Sequence, residues 1–328
     1  MKFLKVPRSE AEAVRKELVS NNLFDANYQI ISESDFVLFP VKGKYKKFEI
    51  IEREGTKRTK IPSSIKEILK GKLSEKEFEQ LVGSFDILGN IAIVEVPESL
   101  SKYESEIGNA VMLTHKHVLS VYKKLGGMSG EFRVRKLALI AGVPNHIASY
   151  LENGARMEFD VTKVYFSVRL AHERDRISKL MKDNEHVLVF FAGVGPFALV
   201  MAKKHKKAKI VAIELNPDAF ISLKSNISLN RFSNVIPEMG DVRDIVLKKY
   251  QNFADRIVMP LPHSAHEFLT IAFAGIKTGG IIHFYTIVEQ EGAFEKALAL
   301  AEKEAKKSNV KIEVVDRKST RLNSSHRL

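Results

Sequence analysis

The sequence predicts an α/β protein in which an open parallel sheet forms the C-terminal half and two smaller α+β units precede it. Three observations lead there. From Ala171 onwards short apolar runs alternate with helical stretches, as repeated βα units do when a parallel sheet is covered on both faces. Between Ser84 and Val168, strand-like runs rich in β-branched residues flank one long helical stretch. A polar, lysine-rich stretch over residues 53–76 sets the first sixty residues apart.

In residues 1–60, positions 10–21 read as a helix with Ala11, Val14 and Leu18 on one face. Residues 28–31, 36–40 and 46–52 are strand candidates. Residues 61–83 read as a linker with a short helix near 64–69. In the middle unit, residues 84–170, strands are expected at 85–88 and 91–96 about a Gly89-Asn90 turn. A mostly helical stretch is expected over 100–124, with strands over 132–140 and 157–168. In residues 171–315 the expected strands are 187–191, 210–214, 235–237, 256–259 and 280–287. The expected helices there are 196–205, 217–229, 242–250, 265–276 and 292–307.

Composition narrows the function. The 328 residues are 45% hydrophobic and 28% charged, ordinary for a soluble globular protein. No apolar run spans a bilayer, and the first residues lack the apolar core of a secretory signal. The absence of cysteine excludes disulfides, thiolate metal sites and a cysteine nucleophile. A cytoplasmic monomer is the simplest expectation. The net charge of +12 suits a polyanionic partner. Lys42, Lys44, Lys46, Lys47, Arg53, Lys57, Arg58 and Lys60 cluster with Tyr45 and Phe48, a mix that suits either a phosphate backbone or a solvated hairpin.

Residues 316–328 resemble the translated read-through of a DNA-sequencing adapter and are expected to be a non-native tail. They carry four Arg or Lys and one Asp, so without them the charge is +9 and the protein stays basic. An apolar strand over 311–315 is expected just before them, with no seventh strand after it.

Phe191-Ala-Gly-Val-Gly-Pro-Phe197 lies between the first strand and first helix of the α/β region. Gly193 and Gly195 permit a tight turn and close approach to a ligand, and Pro196 suits the first helical position. Alone, such a loop is a strand-to-helix turn or part of a dinucleotide site. Glu214 ends the second strand, where a carboxylate can hold ribose hydroxyls, and Asp241 follows the third, where it can accept from an adenine amino group or simply cap a helix. A glycine-rich first loop followed by these two acids is the pattern of S-adenosylmethionine sites.

A set of further motifs in fixed order makes the resemblance specific. They are residues 84–97, Gly130-Glu-Phe-Arg-Val-Arg135, Glu152-Asn-Gly154, residues 160–167 with Arg169-Leu170 and Glu173-Arg174, and Glu214-Leu-Asn-Pro217. Gly240-Asp-Val-Arg243 and residues 255–262 before Ala265-His266 complete the set. Residues 84–315 resemble the archaeal and eukaryotic tRNA (guanine-37-N1)-methyltransferase family, and residues 1–60 resemble its variable N-terminal domain. The resemblance implies a Rossmann-like class I methyltransferase domain over 171–315, S-adenosylmethionine as cofactor and tRNA as partner. It implies that residues 1–60 dock tRNA.

The resemblance also implies roles. Glu173 matches the general base, and Arg133 the arginine that orients guanine and stabilises developing charge. Tyr165, Arg169, Arg174 and Asn216 match positions lining the guanine and cofactor pocket. Glu214 matches the ribose-holding acid, and Pro260 and Pro262 lie in the loop that places the target base. Three departures stand out: Ser167-Val-Arg-Leu170 replaces Ser-Pro-Arg-Leu, Val189 stands where many relatives have an acid, and Pro260 stands where many have Asn. The asparagine contact to guanine is therefore not carried over. The chemistry agrees: a carboxylate within reach can take the N1 proton as the methyl arrives, while a guanidinium supports charge building on O6. On residue type alone, Glu173 reads equally as an ion pair with Arg174 or Arg176 on its helix, and Arg133 as a strand-surface charge. His263 and His266 read as loop or capping residues, because no partner stands at metal-ligand spacing. The rival readings are an aminocarboxypropyl transferase on a modified guanine and a non-catalytic tRNA-binding protein.

Overall fold

The computed structural model describes residues 1–58, 62, 64–129, 134–287 and 292–318. The chain divides into two compact units, Met1–Ser63 and Ser64–Leu328.

In the first unit, β1 (Lys2–Pro7), α1 (Ala11–Ser20), β2 (Ile31–Ser32), β3 (Phe36–Pro40) and β4 (Ile50–Glu52) build an antiparallel sheet of order β2-β3-β1-β4. Val14 and Leu18 of α1 meet Leu4, Val6, Val37 and Phe39 in a closed core. The expected strand at 28–31 shrinks to β2 plus a lone Tyr28–Lys57 bridge, and the one at 46–52 shrinks to β4. Central β1 carries no turn signal before it and is not evident from the sequence. The Tyr45 hydroxyl donates to Glu17 at 2.6 Å and Lys47 pairs with Glu10 at 2.6 Å, so part of the basic stretch is folded back on α1.

The second unit opens with α2 (Ile65–Leu69) and α3 (Glu75–Gln80). Residues 64–83 were expected as a linker, yet Ile65, Leu69, Leu73 and Leu81 are buried against Ala92, Val94 and Leu100. Four leucine or isoleucine side chains spaced through a lysine-rich stretch suffice to anchor it. The Ser74–Glu77 capping box starts α3.

Next come β5 (Asp86–Leu88), β6 (Ile91–Val94), α4 (Glu104–Thr114), β7 (Ser120–Ser129) and β8 (Val134–Gly142), a sheet of order β5-β6-β7-β8. The helical stretch expected to Lys124 ends at Thr114, because Val121 and Tyr122 enter the sheet beside Ala92 and Ile93. In β6, Ile91 and Ile93 pack on one side while Ala92 and Val94 pack on the other, so both faces are dry. A hairpin of β9 (Ile147–Glu152) and β10 (Ala155–Asp160) follows. The strand expected over 157–168 stops at Asp160, whose carboxylate accepts from the Thr162 N–H at 2.8 Å and turns the chain.

The parallel sheet contains β11 (His186–Val189), β12 (Lys209–Glu214), β13 (Val235–Met239), β14 (Ala254–Met259) and β15 (Ile276–Phe284), in order β13-β12-β11-β14-β15. Its helices are α5 (Ala171–Leu180), α6 (Pro196–Lys204), α7 (Pro217–Asn230), α8 (Val242–Lys249), α9 (Leu269–Gly275) and α10 (Ala293–Lys307). Strand order reverses between β11 and β14, which places a ligand crevice at the C-terminal ends of the strands. Residues 310–318 have no regular structure, and Val314 and Val315 are exposed. The strand expected over 311–315 is therefore absent, and among the described residues β15 is the sheet's edge. The remainder of the expected non-native tail, residues 319–328, lies outside the described residues. Among the described residues no helix is long and apolar enough to cross a membrane.

Candidate active site

The glycine-rich loop leaves β11 and enters α6 at the crevice. Phe191, a non-glycine residue, has φ +52°, and Gly193 has φ +57°. A Cβ on Gly193 would meet nothing within 4 Å, so the backbone there faces open space. Gly195, at φ +96°, caps α6, and a Cβ would lie 2.6 Å from Leu223 Cδ1. Pro196 starts the helix. The Phe191 ring is held edge-on against Phe268 at 4.8 Å.

Glu214, at the end of β12, accepts from the Gly193 N–H at 2.6 Å and the Asn216 N–H at 2.7 Å. Burial pushes its carboxyl up, only partly offset by those backbone donors. The carboxylate is thus fixed beside the loop, where a ribose can reach it. Asn216 is committed: its Oδ1 caps α7 by accepting from the Asp218 N–H, and its Nδ2 donates to the Lys163 carbonyl at 3.3 Å. It joins the end of β12 to the loop carrying Tyr165, Phe166 and Ser167. Asp241 caps α8 and pairs with Arg243. The Arg243 hydrogen bond leads in lowering its carboxyl. An open glycine cradle, a fixed carboxylate 2.6 Å from the loop amide and a second acid at the next strand end fit S-adenosylmethionine.

Glu173 and Arg174 are neighbours on α5 with different surroundings. The Arg174 guanidinium is 1% exposed, donates to both oxygens of Glu152 at 2.6 Å and reaches the Ser167 carbonyl. It stacks over Phe166 and Phe197. Arg174, expected to line the cofactor pocket, clamps β9, the 161–167 loop and α6 together from within. Glu173 accepts from Arg176 through Nε at 2.8 Å and Nη2 at 2.7 Å, and from the Tyr285 hydroxyl at 2.7 Å. Burial pushes its carboxyl up, but the hydrogen bonds from Arg176 and Tyr285 outweigh that and lower it.

Tyr165 lies under Arg135, whose guanidinium carbon is 5.8 Å from the ring centre. Arg135 and Arg169 both approach Asp86, at 3.5 and 3.7 Å, so these residues share one wall. In the loop after β14, the Pro262 carbonyl accepts from the Ile287 N–H at 2.9 Å. Pro260 and Pro262 therefore stand next to the segment bearing Tyr285. Arg133 lies outside the described residues. Arg176 and Tyr285 contact Glu173 but were not among the expected site residues. Arg176 was legible as an i+3 partner of Glu173, whereas nothing local marks Tyr285, 112 positions away.

Residues 148–314 match the family model of the TRM5/TYW2 methyltransferase domain, residues 65–145 that of the TYW2 N-terminal domain, and residues 4–49 that of the tRNA methyltransferase 5 N-terminal domain. The tRNA (guanine(37)-N(1))-methyltransferase Trm5b of Pyrococcus abyssi is 42% identical over 318 residues, covering 97% of this chain and 94% of that protein. The crystal structure of that enzyme has a TM-score of 0.73, covering 96% of this chain and 93% of the other. A complex structure of aTrm5 and tRNALeu is 35% identical, with a TM-score of 0.69, and covers 92% and 91%. The tRNA(Phe) (4-demethylwyosine(37)-C(7)) aminocarboxypropyltransferase of Methanocaldococcus jannaschii is 33% identical over 225 residues, covering 69% of this chain and 86% of that protein. With a methyltransferase-domain match over half its length and near-complete alignment to such a relative, the chain belongs to the TRM5/TYW2 methyltransferase family.

Proposed function

We propose that this protein transfers the methyl group of S-adenosylmethionine to N1 of guanine 37 in tRNA, 3′ to the anticodon. One observation carries the reading: similarity to the Pyrococcus abyssi enzyme runs through the N-terminal unit as well as the parallel sheet. The aminocarboxypropyltransferase match covers only 69% of the chain. The cofactor's sulfonium supplies an electrophilic methyl, so the protein must orient the base and remove one proton.

The loop at Phe191, Gly193, Gly195 and Pro196 holds the cofactor, with Glu214 at the ribose and Asp241 at the adenine side. Tyr165, Arg169, Pro260 and Pro262 form the guanine wall, which the base reaches by leaving its stack. Asn216 shapes that wall through its backbone contacts. Glu173 takes the N1 proton, and Arg133 offers donors to O6. Residues 1–60 dock the tRNA, residues 84–170 form the middle domain and residues 171–315 the catalytic one. The enzyme works as a cytoplasmic monomer.

The test is an incubation with guanine-37 tRNA and cofactor labelled either in the methyl or in the aminocarboxypropyl group. Methyl label alone should enter the tRNA. Transfer of the other label would establish the aminocarboxypropyl reaction. Cofactor binding without any transfer, or no binding at all, would contradict the proposed activity.

A further inference from the structure

A carboxylate offers about four lone-pair sites, two on each oxygen. In Glu173 the two oxygens are not equivalent. Oε1 accepts from Arg176 Nη2 at 2.7 Å and from the Tyr285 hydroxyl at 2.7 Å, which fills it. Oε2 accepts, among the described residues, only from Arg176 Nε at 2.8 Å. We propose that Tyr285 and Arg176 are positioning residues that saturate Oε1 of Glu173 and leave one lone pair of Oε2 as the acceptor of the guanine N1 proton. This rests on the reading of Glu173 as the base.

The arrangement is held from three elements. Arg176 lies one turn after Glu173 on α5. Tyr285 follows β15 and packs its ring against Phe197 of α6, 6.2 Å between centroids, so it is anchored to the helix that the glycine-rich loop starts. Asp316, the first residue of the expected non-native tail, also contacts Arg176 through Nη1 at 3.0 Å. The proposed arrangement does not depend on it, since Nε and Nη2 are the atoms that meet Glu173. Among the described residues, the other charged or titratable groups facing the cluster are Arg174 on α5 and His283 on β15. Burial leads in pushing the Tyr285 phenol up, so it remains a donor at working pH.

Proton balance is simple. The N1–H bond breaks and its proton goes to Oε2. The electron pair left on N1 forms the bond to the methyl carbon as the carbon–sulfur bond breaks, that bond's electron pair staying on sulfur as the sulfonium becomes a neutral thioether. Donors on Oε1 make the carboxylate a weaker base, so their value lies in geometry: N1 meets a fixed oxygen.

The experiment measures single-turnover methyl transfer to guanine-37 tRNA from pH 4.5 to 8 for the intact protein and for Tyr285→Phe, Arg176→Gln, Arg176→Lys and Glu173→Gln. Cofactor affinity serves as the folding control. Glu173→Gln should lose roughly 10²–10⁴-fold throughout. Tyr285→Phe should lose about tenfold at its plateau, and its acidic fall should begin at higher pH because a donor that stabilised the anion is gone. Arg176→Gln should shift the fall further, and Arg176→Lys should restore part of it. A Tyr285→Phe or Arg176→Gln profile that is lower but superposes on the parent's pH dependence would overturn the positioning role. Full activity of Glu173→Gln would instead overturn the base assignment itself. If Tyr285→Phe loses cofactor affinity, the Arg176 pair decides the matter by the same criterion.

Discussion

Two arginine–glutamate pairs share helix α5, and they differ in one respect that separates structure from chemistry. Arg174 and Glu152 are sealed, with side chains 1% and 5% exposed, and each carboxylate oxygen has its own guanidinium donor at 2.6 Å. Arg176 and Glu173 are 22% and 10% exposed, and one carboxylate oxygen retains room for another donor. A closed pair fixes three segments of chain. An open pair can accept a proton. Adjacent positions on one helix thus differ because α5 turns Arg174 fully into the core while the Glu173 side chain stays partly exposed.

The largest effect should come from opening the second pair at its acid. Glu173→Ala should lower single-turnover methyl transfer by roughly 10²–10⁴-fold, with cofactor affinity within a few-fold of the parent. A rate within a few-fold at neutral pH would remove Glu173 from the chemistry.

Breaking the closed pair should instead be read in stability. Arg174→Met leaves the Glu152 carboxylate buried without a counter-charge and with the Tyr150 hydroxyl, 3.3 Å away, as its remaining side-chain donor among the described residues, a loss of about 3–5 kcal/mol in denaturant unfolding. Arg176→Met should cost clearly less, since Glu173 keeps Tyr285 and some solvent. Equal losses would erase the distinction between the pairs.

Much of this was legible beforehand, and the exceptions have a pattern. In the parallel sheet each strand and helix repeats a local period, so β11 to β14 and α6 to α8 fall within a few residues of expectation. The places of the glycine-rich loop between β11 and α6 and of Glu214 at the end of β12 followed from motif and order, while Glu173 was singled out by the resemblance alone. Elements defined by distant partners were not legible. β1 is a strand because β3 and β4 flank it, and β7 because β6 and β8 do. Within the linker the short helix expected near 64–69 appears as α2, but α3 and the packing of Ile65, Leu69, Leu73 and Leu81 on the core of the middle sheet were not evident. The Arg174–Glu152 pair was not legible because Glu152 lies 22 positions back, on strand β9.

A further contrast concerns the two compact units. Removing residues 1–60 should weaken tRNA binding and flatten its salt dependence, because phosphate contacts go with it, while the parallel sheet stays folded. Unchanged affinity and salt slope would show that the first unit does not dock tRNA.

The smallest effect concerns His283, beside the open pair. Burial, then the charges of Arg256 and Arg176, lower its pKa to about 3, and its Nε2 is 2.7 Å from Arg256 Nη1. The unfolded chain, with a pKa near 6.5, binds the proton first, so stability is full above about pH 6.5 and falls as pH drops towards 3. The slope should reach up to ~1.4 kcal/mol per pH unit, and His283→Gln should flatten it between pH 6.5 and 4.5. An unchanged slope would place the acid sensitivity elsewhere.

The central claim is that the crevice delivers one methyl group to one atom. Nucleoside mass spectrometry of tRNA after single turnover with the intact protein and S-adenosylmethionine tests it most directly. The account predicts N1-methylguanosine at position 37 and no product from tRNA carrying adenine there. Methylation at another guanine or another ring atom, or equal product from the adenine-37 tRNA, would contradict it.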